Sequence, residues 1–468
     1  MIKQFEIHKS DISTDYRFEA AYYYFCKIIK EDSLANGVEY TKLKNLCTSI
    51  SDGEHSAIPR QKELGVRYLY GRNIKDGIVN FDPNTDSSYI TESNYLQFTR
   101  IHLKENDILL TIVGTIGKTA LYKQEYIGKA GIPRHIAKIR LREDCKISPE
   151  YIVAFFLSKL GKWQLNNIMT GNIQPLLSIG NIEKLDIPII KQELHDEITM
   201  KERKFLECEI KALKLLSNAQ LLFYSRIGID FKTIAKENTF SVCKSDFADA
   251  DLWTPMYSYP LYVNTLKAIQ GKWQTMTIGE IADLKKGDEV GSDTYIGYLD
   301  KKKSDVPFVR TSDIVNYEID QYPDFFIPKE IYDELGQGFQ NGDVLFTKDG
   351  KIGMVGMVTE YDTAIISSGF AGLRLNKKAK DYGITPEYLF LALSIKEIGI
   401  YASKRRTVVA STIPHLREER LKEIEIPILD KKTILEITDL VKRAFHLKDE
   451  KKRLIAEVRE TMDGYFEI

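Results

Sequence analysis

Cysteine is scarce. Five occur in 468 residues, Cys26, Cys47, Cys145, Cys208 and Cys243, and no two stand in CxxC spacing. That excludes a zinc cluster built on paired cysteines and argues against a disulfide framework. The seven histidines are scattered and share no ligand spacing. No run of about 18 apolar residues occurs, so no membrane span is expected. The opening MIKQFEIHKSD lacks the apolar stretch of a secretory signal. A reducing cytoplasm is the expected home. A charge excess of either sign is also missing, with Lys plus Arg at 66, Asp plus Glu at 67 and a net charge of −1. A wholesale basic protein is excluded, although a local basic surface is not.

Catalytic signatures are missing too. Val113 to Tyr122, VGTIGKTALY, has the look of a phosphate loop, but Ile112 stands where a Walker A loop needs glycine. The glycines are better read as a tight turn between strands. No Pro-Pro-aromatic motif of an amino-methyltransferase, no HExxH and no GxSxG occurs. FDPNTD, near Asp82, reads as a turn. Asp349 and Lys351 make a loose match to a nuclease carboxylate site, with Val113 and Thr115 at the matching positions upstream. This poverty in catalytic motifs favours a binding role.

What the chain does have is a copy of itself. DILLTIVGTIG, Asp107 to Gly117, returns as DVLFTKDGKIG, Asp343 to Gly353. SPEY at Ser148 returns as TPEY at Thr385, and LDIPII at Leu185 as IEIPIL at Ile424. VRYLYGRNI, Val66 to Ile74, matches VPFVRTSDI, Val306 to Ile314, and the aromatic pair Phe18 and Tyr22 matches Trp253 and Tyr257. All five lie about 235–240 residues apart and in the same order. A period that long is no solenoid but two copies of a domain. The length allows two to four units at about 150 residues each.

Each copy ends in a long helical pattern. Leu194, Ile198, Lys201, Phe205, Cys208, Ala212, Leu215, Ala219 and Leu222 step by four and three, a heptad seam broken once by Lys201. Ile437, Leu440, Ala444, Leu447, Lys451, Leu454 and Val458 repeat it, broken by Lys451. Both stripes are narrow, which predicts that the two helices pair with each other. Ahead of each, short apolar runs alternate with turn signals, including a hairpin around each glycine-rich turn and a helix after SPEY and TPEY. The expected class is α+β: two similar mixed α/β domains separated by two long antiparallel coiled-coil helices. The boundaries are 1–191 and 229–430 for the domains and 192–228 and 431–468 for the helices.

Binding candidates follow from residue type. Asp52 to Ile74 carries His55, Arg60, Lys62, Arg67, Tyr70, Arg72 and Asn73. The second copy offers Lys285, Lys286, Lys301, Lys302, Lys303, Arg310 and Ser312, with Arg405 and Arg406 further on. Arg and Asn read guanine and adenine edges, and Lys neutralises phosphate. Arg134 and His135 are of the same kind.

These pieces together resemble the specificity subunit of a type I restriction–modification system. DGEHSAIPRQKELGVRYLYGRNI resembles the family's opening, and VPFVRTSDI the same piece in another form. The glycine-rich turns followed by SPEY or TPEY match its middle. TGNIQPLLSIGNIEKLDIPII, Thr170 to Ile190, followed by a long helix, matches its end; the second copy, RTVVASTIPHLREERLKEIEIPIL, departs there in lacking the Gly and Gln. The resemblance implies a non-catalytic subunit in which each domain reads half of a split site in double-stranded DNA. It implies two methylation subunits bringing S-adenosylmethionine, and a restriction subunit bringing ATP and Mg. Two alternatives share the sequence features: the recognition subunit of a type IIB-like system, and an enzyme with an unrecognised nuclease site.

Overall fold

The computed structural model describes residues 37–61, 65–80, 88–170, 175–237, 239–243, 252–294, 296–297, 305–409 and 413–466. The pair Phe18 and Tyr22, the turn at 81–86 and Lys62, Lys301, Lys302 and Lys303 lie outside these residues. The chain divides into two compact units. The first holds residues 37–80, 88–207 and 453–466; the second holds 208–452.

In the first unit, four antiparallel strands form one sheet: β1 (Cys47–Asp52), β2 (Ile108–Thr111), β3 (Thr119–Leu121) and β4 (Ile136–Leu141), in the order β1-β4-β2-β3. Strand β2 is buried on both faces, as its unbroken run ILLT requires. The β2–β3 connection is the glycine-rich turn, with Gly114 and Gly117 at φ +78° and +81°, where a Cβ would be strained. Arg140 on β4 grips Asp107 with two parallel hydrogen bonds, Nε to Oδ1 at 2.7 Å and Nη2 to Oδ2 at 2.6 Å. Ser148 caps the following helix, Pro149–Leu157. The apolar run after SPEY predicts one helix; there are two. Ser158 breaks it in extended backbone and caps the second, Lys159–Asn167.

The second unit repeats this plan. Strands β5 (Ala282–Lys286), β6 (Val344–Thr347), β7 (Val355–Met357) and β8 (Phe370–Leu375) pair in the order β5-β8-β6-β7. Arg374 grips Asp343 at 2.8 and 2.6 Å. Thr385 caps Pro386–Ser394 as Ser148 does its helix. The Tyr388 hydroxyl donates to the Pro427 carbonyl at 2.8 Å, and Tyr151 to Pro188 at 2.9 Å in the first unit. Even the helix break recurs. A Cβ on Gly161 would stand 1.9 Å from the Phe155 carbonyl oxygen, and one on Gly399 1.9 Å from that of Leu393. Gly399→Ala should therefore destabilise the second unit by about 1–3 kcal/mol, read as a lower denaturant midpoint at unchanged slope.

The long helices are α1 (Gln192–Ile227) and α2 (Lys431–Tyr465). Each contributes to both units, since the division falls after Glu207 on α1 and after Lys452 on α2. Within the second unit, Glu209 bonds Lys451 at 2.6 Å and Arg226 meets Glu436 at 3.6 Å, so position rises on one helix as it falls on the other. The narrow seam is corrected here. Leu216, Phe223 and Ile227 are buried in the same core as Val344, Phe346 and Tyr388, whereas Leu215 and Leu222 are only partly buried. Over this stretch helix α1 thus packs on the core of the second unit as well as on α2, and its buried stripe is wider than the heptad pattern.

Both seam breaks carry charge pairs. In the first unit Lys201 reaches Glu197 at 2.8 Å and Glu457 at 3.3 Å. In the second, Lys451 lies buried between Glu209 and Glu318, with Lys448 3.5 Å from Glu209 and the Asn316 amide donating to it at 2.6 Å. Burial pushes the Glu209 carboxyl up, but Lys448 and Lys451 outweigh that and hold it at about 2.

The first unit has a comparable centre at the turn after Asn73. The nearly buried Asp76 carboxylate meets three cations, Arg459 at 2.7 Å, Lys162 at 3.3 Å and Lys118 at 3.6 Å. Burial raises its pKa, but the three cations together hold it well below the carboxylate range. Glu202, on α1, differs. It is fully buried, and neither carboxylate oxygen has a hydrogen-bond partner among the described residues. Burial pushes it up to about 8, despite Arg459.

Candidate nucleic-acid interface

Several of the sequence candidates stand at or just beyond strand ends. In the first unit, Gly71–Asn73 forms one 3-10 turn. The Asn73 side-chain oxygen accepts from the Tyr70 amide at 2.8 Å, and its nitrogen donates to the Asn80 carbonyl at 3.1 Å. Asn73 is buried, with both ends of its amide committed to shaping the loop. That loop presents the half-buried ring of Tyr70 between two guanidiniums, Arg60 and Arg72, each 4.9 Å from its centroid. Such contacts hold two cations at a defined spacing over one ring. Arg67 lies half-buried on the strand Val66–Tyr68.

His55 stands just past β1. Its Nε2 lies 2.8 Å from Asp52 Oδ2, while Arg100 bonds the other carboxylate oxygen. The Arg134 amide donates to the Glu54 carbonyl at 3.1 Å, which seats the exposed Arg134 beside His55. His135 is half-buried, and burial, helped by Arg134, lowers its pKa and favours the neutral ring.

The second unit builds the equivalent loop with other residues. The Arg310 amide donates to Asp313 at 2.9 Å, as Tyr70 does to Asn73. The Arg310 guanidinium stacks 4.5 Å above Phe325 and reaches Asp324 at 3.2 Å. Ser312 is exposed, and its hydroxyl donates to Asp313 at 3.1 Å. Lys286 is exposed, 3.5 Å from Glu418. Lys285 is tied down, donating to the Gly338 carbonyl at 2.9 Å.

The Arg405–Arg406 pair lies apart from this loop. Arg405 donates to the Tyr257 carbonyl at 2.8 Å and stacks on its ring. Arg406 is buried against Glu423, whose carboxylate is 3.2 Å away and whose carbonyl accepts at 3.1 Å. Both anchor the helix Tyr401–Arg406 to its surroundings.

Sequence reading missed one contact at the second glycine-rich turn. His415 pairs with Asp349, and the Gly350 amide donates to the Pro414 carbonyl at 3.0 Å. In the first unit Val113 bridges Leu176 at the corresponding place. Asp349 is thereby engaged with His415 and, at 3.5 Å, Lys348. Among the described residues no group of three or more His, Cys, Asp or Glu could hold a metal ion, and no helix is long and apolar enough to cross a membrane.

Residues 270–457 match the model of the type I restriction modification DNA specificity domain. No curated protein matches the chain. Among solved structures, the type I restriction–modification system S subunit from M. genitalium aligns over 92% of this chain and 95% of its own, at 13% identity and a TM-score of 0.31. The HsdS subunit from Thermoanaerobacter tengcongensis aligns over 92% and 96%, at 15% identity and a TM-score of 0.28.

Proposed function

We propose that this chain, whose residues 270–457 match the type I restriction modification DNA specificity domain, is a specificity subunit that reads a split double-stranded DNA site, one half with each unit. One observation carries the reading: the same sheet, glycine-rich turn and cation–aromatic loop are built twice, with different side chains at the loop. Tyr70 with Arg60 and Arg72 in one unit, against Arg310 with Phe325 and Ser312 in the other, would select half-sites of unrelated sequence. Arg67 and Lys286 would serve on the same surface, with His55 and Arg134 beside the first loop. The same assignment extends to Lys62, Lys301, Lys302 and Lys303 as phosphate contacts.

The chain itself performs no chemistry in this reading. Two methylation subunits bring S-adenosylmethionine, and a restriction subunit brings ATP and Mg, all in the cytoplasm. The paired helices α1 and α2 act as a coiled-coil spacer and as the docking surface for the methylation subunits. Binding to DNA weakens with salt as counterions are released.

Genome-wide adenine-methylation sequencing, with partners co-expressed, tests this. A split motif should appear with the chain and vanish without it; methylation that is the same in both strains would overturn the reading. A spacer role makes a second prediction. Inserting four residues into each long helix adds about 6 Å at ~1.5 Å per residue. The gap between half-sites should then grow by about 1–2 base pairs. Retention of the parental gap in a folded variant would remove the spacer role.

A further inference from the structure

Directly after its candidate reading loop, each unit runs out into a short hairpin whose tip meets both long helices. In the second unit the loop Thr311–Asp313 continues into Ile314–Val315, which pairs with Glu318–Ile319. The Asp320 amide closes the hairpin on the Asp313 carbonyl at 2.9 Å. At the tip, Asn316 and Tyr317 stand at φ +49° and +74°, the left-handed pair that a two-residue hairpin turn demands. The Asn316 side chain donates to Glu209 on α1 at 2.6 Å, while Glu318 meets Lys451 and, at 3.4 Å, Lys448 on α2. Asn316, Glu318 and Lys448 are all buried.

The first unit repeats the plan with other chemistry. Its loop Gly71–Asn73 leads into a hairpin closed by the Asn80 amide on the Asn73 carbonyl at 2.7 Å. At that tip Asp76 meets Arg459 of α2 at 2.7 Å, and a Cβ on Gly77 would stand 2.8 Å from the Phe205 ring of α1. Contact between tip and helices is therefore common to both units, while the residues that make it are not. In the second unit it is kept against strain. A tyrosine at positive φ is unfavourable and persists only where its surroundings over-determine it. Here Phe390 packs edge-on against Tyr317 at 5.7 Å, and Gln220 of α1 donates to the Tyr317 hydroxyl at 3.4 Å. The opposite end of the hairpin carries the Arg310 guanidinium, held by Asp313, Asp324 and Phe325.

Resting on the proposed reading of DNA, we infer that the hairpin of the second unit is a strut. Asn316 and Glu318 are its positioning residues: they fix the Arg310 loop to the helix pair, so that the half-site is read at one distance and one rotation along the duplex. One more base pair between half-sites moves the second half by ~3.4 Å and turns it by about 34–36°. A loop on a free hairpin could follow that displacement by bending. A loop whose tip is locked among Glu209, Glu318, Lys448 and Lys451 resists it, because breaking any one of these contacts leaves a buried charge uncompensated.

The test uses the full chain with its partner subunits and duplexes carrying the motif found by methylation sequencing, at the parental gap and with one base pair added or removed. The wild type should bind the parental gap best. Asn316→Gly suits the left-handed φ and removes the amide that reaches Glu209. It should keep both half-site sequences but reduce the preference for the parental gap about ten-fold, the scale of one hydrogen bond to a charged group. Gly399→Ala, which weakens the same unit without altering Asn316 or Glu318, should leave the preference intact and so separates positioning from stability. Should N316G not fold, Glu318→Gln, which keeps the shape and can still accept from Lys451, takes its place. Equal loss of affinity at all three gaps, a variant as strict as the wild type, equal relaxation by G399A, or a wild type indifferent to the gap would overturn the inference. Absence of any split motif with the wild-type chain would instead remove the DNA-reading role on which it rests.

Discussion

Asp76→Ala should destabilise the first unit by about 3–5 kcal/mol, since it leaves three buried or nearly buried cations without their shared counter-charge. Lys118, Lys162 and Arg459 come from three separate stretches of sequence and converge on this carboxylate. Chemical denaturation of the full chain should show the first unit's transition moving to lower denaturant while the second unit's stays in place. A shift under 1 kcal/mol would mean that the cations find other partners or solvent. Because cations hold the Asp76 pKa low, its contribution is present above the unfolded carboxylate value. It is lost as pH falls through the lower folded value, so the variant and the parent should converge in acid.

Glu202 should give a pH dependence of opposite sign. Its folded pKa of about 8 lies above the ordinary carboxylate value of 4.5, so the folded state holds the proton more tightly. Stability is fullest below the unfolded value and is lost as pH rises through about 8. Between pH 5 and pH 8 the parent should lose about 3 kcal/mol more than Glu202→Gln, whose side chain cannot ionise. Parallel stability–pH curves for the two proteins would show that Glu202 is hydrated or paired in solution.

How much of this was legible in the sequence depends on the range of the interaction. The duplication was legible because the strongest local constraints recur as text. An aspartate opens both DILLT and DVLFT, and each is gripped by an arginine near the end of β4 or β8. The glycine-rich turns were legible as hairpins because their positive φ angles need glycine. The seam breaks at Lys201 and Lys451 were visible as irregularities, but their meaning was not. Their partners Glu457 and Glu209 lie roughly half a chain away, and no periodicity connects them. Nor did the pattern KERK at 201–204 distinguish Glu202, which is buried, from its exposed neighbour Arg203.

At the candidate interface, burial and pairing separate residues that residue type alone groups together. Residue type alone makes Asn73 and Arg406 candidates for reading bases. Asn73 is buried within the loop it shapes, and Arg406 is consumed by Glu423.

The division of the chain also sets an order of events during synthesis. The second unit is essentially one continuous stretch, residues 208–452, so every contact within it exists once residue 452 has left the ribosome. The first unit begins earlier in the chain but needs residues 453–466 to be whole, including Arg459 at the Asp76 carboxylate. The earlier-made domain is thus the later one finished. Until then Asp76 lacks Arg459, the shortest of its three cation contacts at 2.7 Å. Truncation just before Arg453 should accordingly leave the second unit folded and the first one open to protease.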